Sequence, residues 1–285
     1  MQYFTENFTS LNELIRTLDT RKANKVFECR RGNLASQNDD YDFTRTHSYK
    51  EAVELLKNGY TEPLAEIKKG VETNARGMTA QKTEVKNDVV GYAPCVPNAI
   101  LGIPQSMINK KTAVKKSKII TIIHDAHESA WVSGKTFTKA GITTLSIVNS
   151  LEAQGYRVAL KVAFFDGSYG KEKVFATAKL KDWRQPLDFK KITFPFCHPS
   201  MLRRIGFKYL ETHPKITESG FSIGYSHPDA CRKYDSVLTA LRKNKLIADN
   251  EFYININLCE KNSFNPQAVA KACGLGSPDT IKKKV

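Results

Sequence analysis

No stretch of the 285 residues approaches the run of roughly 18 apolar side chains that spans a bilayer. The opening Met1-Gln2-Tyr3-Phe4-Thr5-Glu6 also lacks the basic start and apolar run of a secretory leader. Both absences lead to the expectation of a soluble, cytoplasmic-type protein, with no membrane among its partners. The six cysteines (Cys29, Cys95, Cys197, Cys231, Cys259 and Cys273) stand far apart without a C-x-x-C. That spacing excludes a zinc ribbon or a small disulfide framework and predicts reduced, mostly buried thiols. Internal repeats are absent, and only Lys282-Lys283-Lys284 is low in complexity, so a repeat array is not expected.

What is present is a core-forming composition. With 41% hydrophobic and 26% charged residues, the chain can bury a core without covalent staples and is too apolar for wholesale disorder. Its length admits one large domain or two smaller ones. The net charge of +15 is unevenly placed. Residues 1–100 carry 14 bases and 14 acids, residues 101–118 five lysines and no acid, and residues 119–285 carry 25 bases and 15 acids. Such an excess invites a nucleic acid or another acidic partner, although a high pI bears on solubility and non-specific binding before it bears on any activity.

Periodicity predicts a helix over roughly residues 5–18, from Leu11, Leu14, Ile15 and Leu18, and a short strand over Val26–Arg30. Ser48-x-x-Glu51 reads as a capping box for a helix that buries Ala52, Val53, Leu55 and Leu56 and ends at Asn58-Gly59, and a second helix follows over about 62–74. Residues 91–109 are apolar but broken by Pro94, Pro97, Gly102 and Pro104, which forbids a continuous helix or central strand. A loop so apolar is expected to pack across the following domain. Ile119–Ile123 then reads as a buried strand, and a helix with Ile142, Leu145, Ile147, Val148 and Leu151 stops at Gly155. Tyr156–Phe165 is the next buried strand, so the three elements form a β-α-β unit with parallel strands and a right-handed crossover. Val174–Leu180 fits an antiparallel edge strand. Beyond it come a helix near 200–211, a strand near 221–225, a helix near 236–244, a strand near 252–258 and a last helix over 266–273. The expected organisation is a mainly helical N-terminal region over 1–90, a Pro-rich packed loop and basic junction over 91–118, a doubly wound, mostly parallel α/β domain of Rossmann-like type over 119–275, and a basic tail over 276–285.

Three stretches carry a resemblance: Val96-Pro97-Asn98-Ala99-Ile100-Leu101-Gly102-Ile103-Pro104-Gln105-Ser106-Met107, Leu151-Glu152-Ala153-Gln154-Gly155-Tyr156-Arg157-Val158, and His198-Pro199-Ser200-Met201-Leu202-Arg203-Arg204-Ile205-Gly206-Phe207. Together they resemble a group of proteins common in bacteriophage and prophage genomes, over roughly residues 48–260. At the level of fold, a strand ending in Asp125-x-His127-x-Ser129, then a helix, then Gly155 and another strand is similar to the opening of a von Willebrand factor A-like (vWA-like) domain. The resemblance implies a divalent cation held by D-x-S-x-S and by a Thr and an Asp from later loops, for which Thr193 and Asp229 are the candidates. Asp125 and Ser129 match that pattern, whereas His127 replaces the first Ser, so the ion implied is Mg²⁺ or, given an imidazole, a transition metal. Similar domains serve as adaptors for AAA+ ATPases of the MoxR or chelatase type, which makes such an ATPase the implied protein partner.

Several groups have a plainer reading beside the functional one. Asp125 lies where open α/β sheets place ligands, yet Asp is also an ordinary cap at a strand-to-helix turn. His124, His127, Glu128 and Ser129 crowd the same turn. Ser129 to Thr136 is one residue short of a phosphate loop, with Trp131 and Val132 too bulky where backbone amides must wrap phosphate. Cys197-His198 with His213 and His227 could be assembled into a metal site or a Cys–His nucleophilic pair, though nothing in the spacing demands it and buried packing is the plainer reading. Lys110, Lys111, Lys115, Lys116, Lys118, Arg203, Arg204 and Lys208 could contact phosphates or form solvated faces. No acid–base constellation stands out, so the expectation is a non-enzymatic adaptor. A basic nucleic-acid-binding protein and a virion structural component are the alternatives.

Overall fold

A computed structural model describes residues 2–25, 27, 34–38, 40–62, 64–75, 84–111, 119–129, 131–166, 172–216 and 234–275. The chain enters as a strand, β1 (Gln2–Phe8), and only then turns into helix α1 (Leu11–Thr20). The predicted helix over 5–18 therefore begins late. Ser10 caps it by accepting the Glu13 N–H at 3.2 Å, while the Glu13 carboxylate reaches back to the Thr9 N–H at 2.6 Å. Residues before that cap alternate instead, burying Phe4 and Phe8 on the sheet. Helix α2 (Tyr41–Thr44) is a single turn. Helix α3 (Tyr49–Asn58) has the expected Ser48 cap and ends at Gly59, whose φ of 87° suits glycine, and α4 (Leu64–Ala75) follows. Val26–Arg30 lies mostly outside the described residues.

Residues 84–111 form a small module of their own. Strands β2 (Glu84–Asp88), β3 (Ala93–Pro94) and β4 (Met107–Lys111) make a three-stranded antiparallel sheet in the order β2-β4-β3, with helix α5 (Val96–Ile100) between β3 and β4. This corrects the expectation of a loop packed across the next domain. Pro94 is absorbed at a sheet edge and Pro97 in the first turn of α5, where their missing N–H groups are harmless, Pro104 lies between α5 and β4, and the apolar side chains stay outside.

The main sheet has the order β1-β7-β6-β5-β8, built with β5 (Ile119–Asp125), β6 (Arg157–Asp166), β7 (Glu172–Lys181) and β8 (Glu251–Asn255). Strand β5 is parallel to both β6 and β8, β7 is antiparallel to β6, and β1 is parallel to β7. The fold is thus α/β around a mixed, mostly parallel sheet. The pairing of β1 with β7 ties the first residues into the same sheet as 119–255, across the boundary drawn at residue 90. It also makes β1 the edge and puts β7 inside. The chain leaves β5 towards β6 and returns as β8 on the other side, so β5 is the switch point of the parallel half.

Helix α6 (Gly134–Ala153) joins β5 to β6, capped by Ser133 and stopped before Gly155 at φ 87°. It is buried on most of its circumference, including Thr143, Thr144, Ser146 and Ser150, because helices pack around it: α4, α7 (Phe189–Cys197), α10 (Ile256–Lys261) and α11 (Pro266–Ala272). The approach of α7 is close enough to require glycine, since a Cβ on Gly141 would lie 2.4 Å from the Cys197 Sγ and 2.5 Å from the Phe196 carbonyl oxygen. A π-helical turn over Met201–Gly206 runs into α8 (Phe207–Glu211), where a single helix was expected. Tyr209 and His213 from this segment pack on Phe8, Phe164 and Phe4 of the sheet. On the opposite sheet face Tyr3, Phe165 and Phe175 form a ladder, and Lys161 pairs with Glu251 at 2.6 Å. Helix α9 (Tyr234–Lys243) precedes β8, and the expected strand 252–258 is shortened because Asn255 caps α10. The expected strand near 221–225 lies outside the described residues.

Candidate functional site

The carboxyl ends of β5 and β8 bring together the densest set of polar side chains that the sequence singled out. Five β-branched and two polar residues make β5, which parallel strands flank on both edges and which is buried along most of its length, so His124 and Asp125 reach the strand end inside the protein. His124 faces α6 and α7. Its Nδ1 lies 3.1 Å from the Thr144 Oγ1 and its ring stacks on Phe196 at 4.5 Å. Asp125, one residue on, faces the other side. Its Oδ1 accepts the His127 N–H at 2.8 Å, which folds the chain into a tight turn, and its Oδ2 accepts the Tyr253 hydroxyl from β8. Tyr253 in turn stacks on Tyr234 at 6.2 Å, and the Tyr234 hydroxyl donates to the Tyr253 carbonyl at 2.8 Å.

Burial governs the electrostatics of this junction. It pushes the His124 imidazole down to about 4 against a partial lift from a backbone hydrogen bond at Phe196, and it pushes His127 down to about 3, so both rings are neutral at pH 7. The Tyr253 phenol is held well above its usual range, first by burial and then by the neighbouring Asp125. Glu128 is also buried, with Oε1 accepting the Ser129 N–H at 2.9 Å.

The structure gathers Asp125, His127 and Ser129 at one turn but does not shape them as an ion cage. Both Asp125 oxygens are engaged by hydrogen-bond donors within the protein, and the carboxylate is wholly buried. Thr193 lies inside α7, not on a loop, with its hydroxyl donating to the Phe189 carbonyl at 2.5 Å. Asp229 is outside the described residues. Among the described residues no group of three His, Cys, Asp or Glu side chains is placed to hold a metal ion. The donor set that can be described therefore does not fit a hard divalent cation, which needs several free oxygens.

The basic candidates also separate. Arg203 and Arg204 point inward, which corrects their reading as phosphate contacts. Arg203 donates to the Phe43 carbonyl and, at 2.5 Å, to the Val132 carbonyl, with its guanidinium 4.0 Å from the Phe43 ring centroid. Arg204 has no exposed surface and donates to the carbonyls of Ser36, Asn38 and Thr46 and to the hydroxyls of Thr44 and Thr46. Together they clasp the segment around residues 36–46 against the body, a job for which guanidinium geometry is suited. Lys208 stays half-buried with its Nζ 5.8 Å from the Tyr49 ring centroid. Lys110 and Lys111 occupy β4, while Lys115, Lys116 and Lys118 fall outside the described residues. Cys197, His198 and His213 are all buried in aromatic surroundings: His198 stacks on Phe194 and meets Tyr60 edge-on, and His213 stacks on Phe4. Burial raises the Cys197 thiol far above its ordinary range, so it is not an activated nucleophile. His227 is outside the described residues.

Two features escaped the residue-by-residue reading. Tyr253 and Tyr234 complete the Asp125 junction, and nothing in the local pattern of β8 announces that pairing. The other feature is the exposed face of the 84–111 module. Seven of the ten large exposed hydrophobic residues among those described, Val89, Val90, Tyr92, Val96, Ile100, Leu101 and Ile103, lie within 15 residues of chain. A readable signal existed, since residues 89–109 hold no charged side chain at all.

A family model described as a domain of unknown function, DUF7192, matches residues 2–275. No curated protein and no solved structure matches the chain.

Proposed function

The chain belongs to the DUF7192 family, and from that premise we propose that it is a non-enzymatic adaptor: a rigid α/β body that presents the 84–111 arm as its contact element. The carrying observation is the exposed apolar cluster on that arm, where Ile100 is 79% and Leu101 is 73% accessible. Large hydrophobics exposed together on one short element point to an interaction site, while singly scattered ones do not. The order of strand, Asp125-x-His127-x-Ser129, helix and Gly155 supports a vWA-like reading of the body. In that reading the strand end is a structural junction, because its carboxylate is consumed by Tyr253 and the His127 amide. This moves the expected contact face from the strand ends to the arm. A nucleic-acid role draws less support, with Arg203 and Arg204 spent inside.

The test is a photo-crosslinking amino acid placed in the full chain at Val96 or Ile100, compared with one at Ser129. Irradiation in the native cell is expected to give a discrete protein or lipid adduct from the arm positions and none from the strand end. Adducts from Ser129 with none from the arm would return the contact face to the strand ends and overturn the proposal.

A further inference from the structure

The arm has a polarity along its length. Strands β2 and β3 flank β4 and both end opposite Met107: Asp88 pairs with Met107 on one side and Pro94 on the other. The turn 89–92 and the α5 segment 95–106 therefore lie towards the same end. Lys110 and Lys111 pair with Val85 and Glu84 at the other end, about 13 Å further along β4 at the usual rise per residue. One end of the arm thus carries the apolar, uncharged segments 89–92 and 95–106, with Asp88 at their base, and the other carries Lys86, Lys110 and Lys111 with a single acid, Glu84. The same chain continues into Lys115, Lys116 and Lys118 with no acid before residue 119.

The apolar end also satisfies much of its own backbone. The Cys95 N–H donates to the Ser106 carbonyl at 2.7 Å, Ile103 to Asn98 at 2.9 Å, Leu101 to Pro97 at 3.1 Å, Gly102 to Ala99 at 3.2 Å and Tyr92 to Ile108 at 3.0 Å. The Asn98 amide donates to the Gln105 carbonyl at 3.0 Å, and Asp88, the acid nearest this end, accepts the Val89 N–H at 2.8 Å. A segment with its polar groups paired internally loses little on entering a medium without hydrogen-bonding partners. A protein interface, by contrast, ordinarily offers a polar rim with hydrogen bonds to the partner.

Resting on the reading of the arm as the contact element, and against the expectation from sequence that no membrane is among the partners, we propose that its partner is the surface of an anionic lipid bilayer. The tip around Val90, Val96, Ile100, Leu101 and Ile103 enters the boundary between headgroups and acyl chains, and Tyr92 sits at the interface, where aromatic rings with a polar edge collect. The basic end faces the anionic headgroups, and the net charge of +15 draws the whole protein to the same surface. The contact is monotopic. No helix among the described residues is long and apolar enough to cross a membrane.

The experiment is co-flotation of the full chain with vesicles of phosphatidylcholine alone and with vesicles enriched in phosphatidylglycerol, for the wild type, for I100D/L101D on the arm and for Trp131→Asp off it. Thermal melting verifies that the substituted side chains, all exposed, leave the fold intact. The wild type and W131D are expected to float with the anionic vesicles only, and I100D/L101D to lose about tenfold or more of the partitioning. A Val96→Trp variant, whose emission would shift to the blue on binding, reports insertion directly. Equal binding by wild type and I100D/L101D would show attraction by net charge alone and overturn the proposal. Failure of the wild type to bind either vesicle would overturn it too, and a protein adduct from the arm in the crosslinking test would then leave the adaptor reading standing with a protein as the partner.

Discussion

Acid should unfold this protein through its buried imidazoles. His124, His127, His198 and His213 are all buried, and desolvation is the first cause of lowering in each, to about 4, about 3, about 4 and about 4. For His213 the nearby Glu6 carboxylate opposes that lowering and Arg21 adds to it. In the unfolded chain each returns to about 6.5. The unfolded state therefore binds more protons below that value, and stability, complete above about pH 6.5, falls as pH drops towards the folded values near pH 4. At about pH 5 an unfolded imidazole is almost fully protonated and a folded one almost not at all, which amounts to roughly 2 kcal/mol per histidine by linkage. Four such groups reach about 8 kcal/mol, comparable with the whole stability of an ordinary domain. Urea unfolding followed by far-UV circular dichroism at several values between about pH 7 and 5 measures the effect, and the slope of stability against pH counts the protons taken up. An uptake of about three to four protons is expected at the steepest point. His124→Phe, which keeps the stacking on Phe196, should remove close to one of them. A stability unchanged over this range, or a slope of less than one proton, would refute the buried-neutral assignment.

Other perturbations test other joints of the structure. Gly141→Ala should destabilise by about 1–3 kcal/mol in urea unfolding, because its new methyl meets the Cys197 Sγ and the Phe196 carbonyl across the α6–α7 contact. Arg204→Met should cost about 3 kcal/mol or more, since it strands the carbonyls of Ser36, Asn38 and Thr46, and hydrogen exchange should rise at residues 36–46 ahead of the rest. Retained protection there would show that the clasp is not what holds the segment. Tyr253→Phe should cost about 1.5–3 kcal/mol by removing a donor to the buried Asp125 carboxylate. Adding Mg²⁺ or Mn²⁺, or removing metal with a chelator, should leave the melting temperature of the wild type unchanged. A clear upward shift with either ion would reopen Asp125 as a ligand.

Much of the fold was legible because local chemistry and tertiary structure agree. Ser48 with Glu51 and then Gly59 bound α3 as the capping signals require, and Gly155 ends α6 in a conformation that side chains avoid. The β-branched run at 119–123 marked an internal strand because a buried strand has no polar alternation to confuse it. Where the reading failed, a distant partner decided. Residues 2–8 are a strand because β7, about 170 positions later, supplies a ladder, and no local pattern encodes that. Residues 252–258 divide between strand and helix because the Asn255 side chain caps α10 in place of continuing the ladder. Arg203 and Arg204 look like surface charges in sequence, and only the carbonyls folded round them show otherwise.

The sequence alone determined the class: α/β, with a parallel unit around 119–165, buried thiols at Cys197, Cys259 and Cys273, a basic excess and an uncharged apolar stretch at 89–109. These follow from composition and short-range periodicity, which the chain carries whatever its final contacts. Tertiary structure alone decided what the polar and apolar outliers do. Asp125 becomes a junction because β8 places a phenol beside its carboxylate. The apolar stretch stays outside because its strands pair with one another and leave its large side chains no place in the core. Both outcomes depend on contacts between residues far apart in the chain, where periodicity has nothing to say.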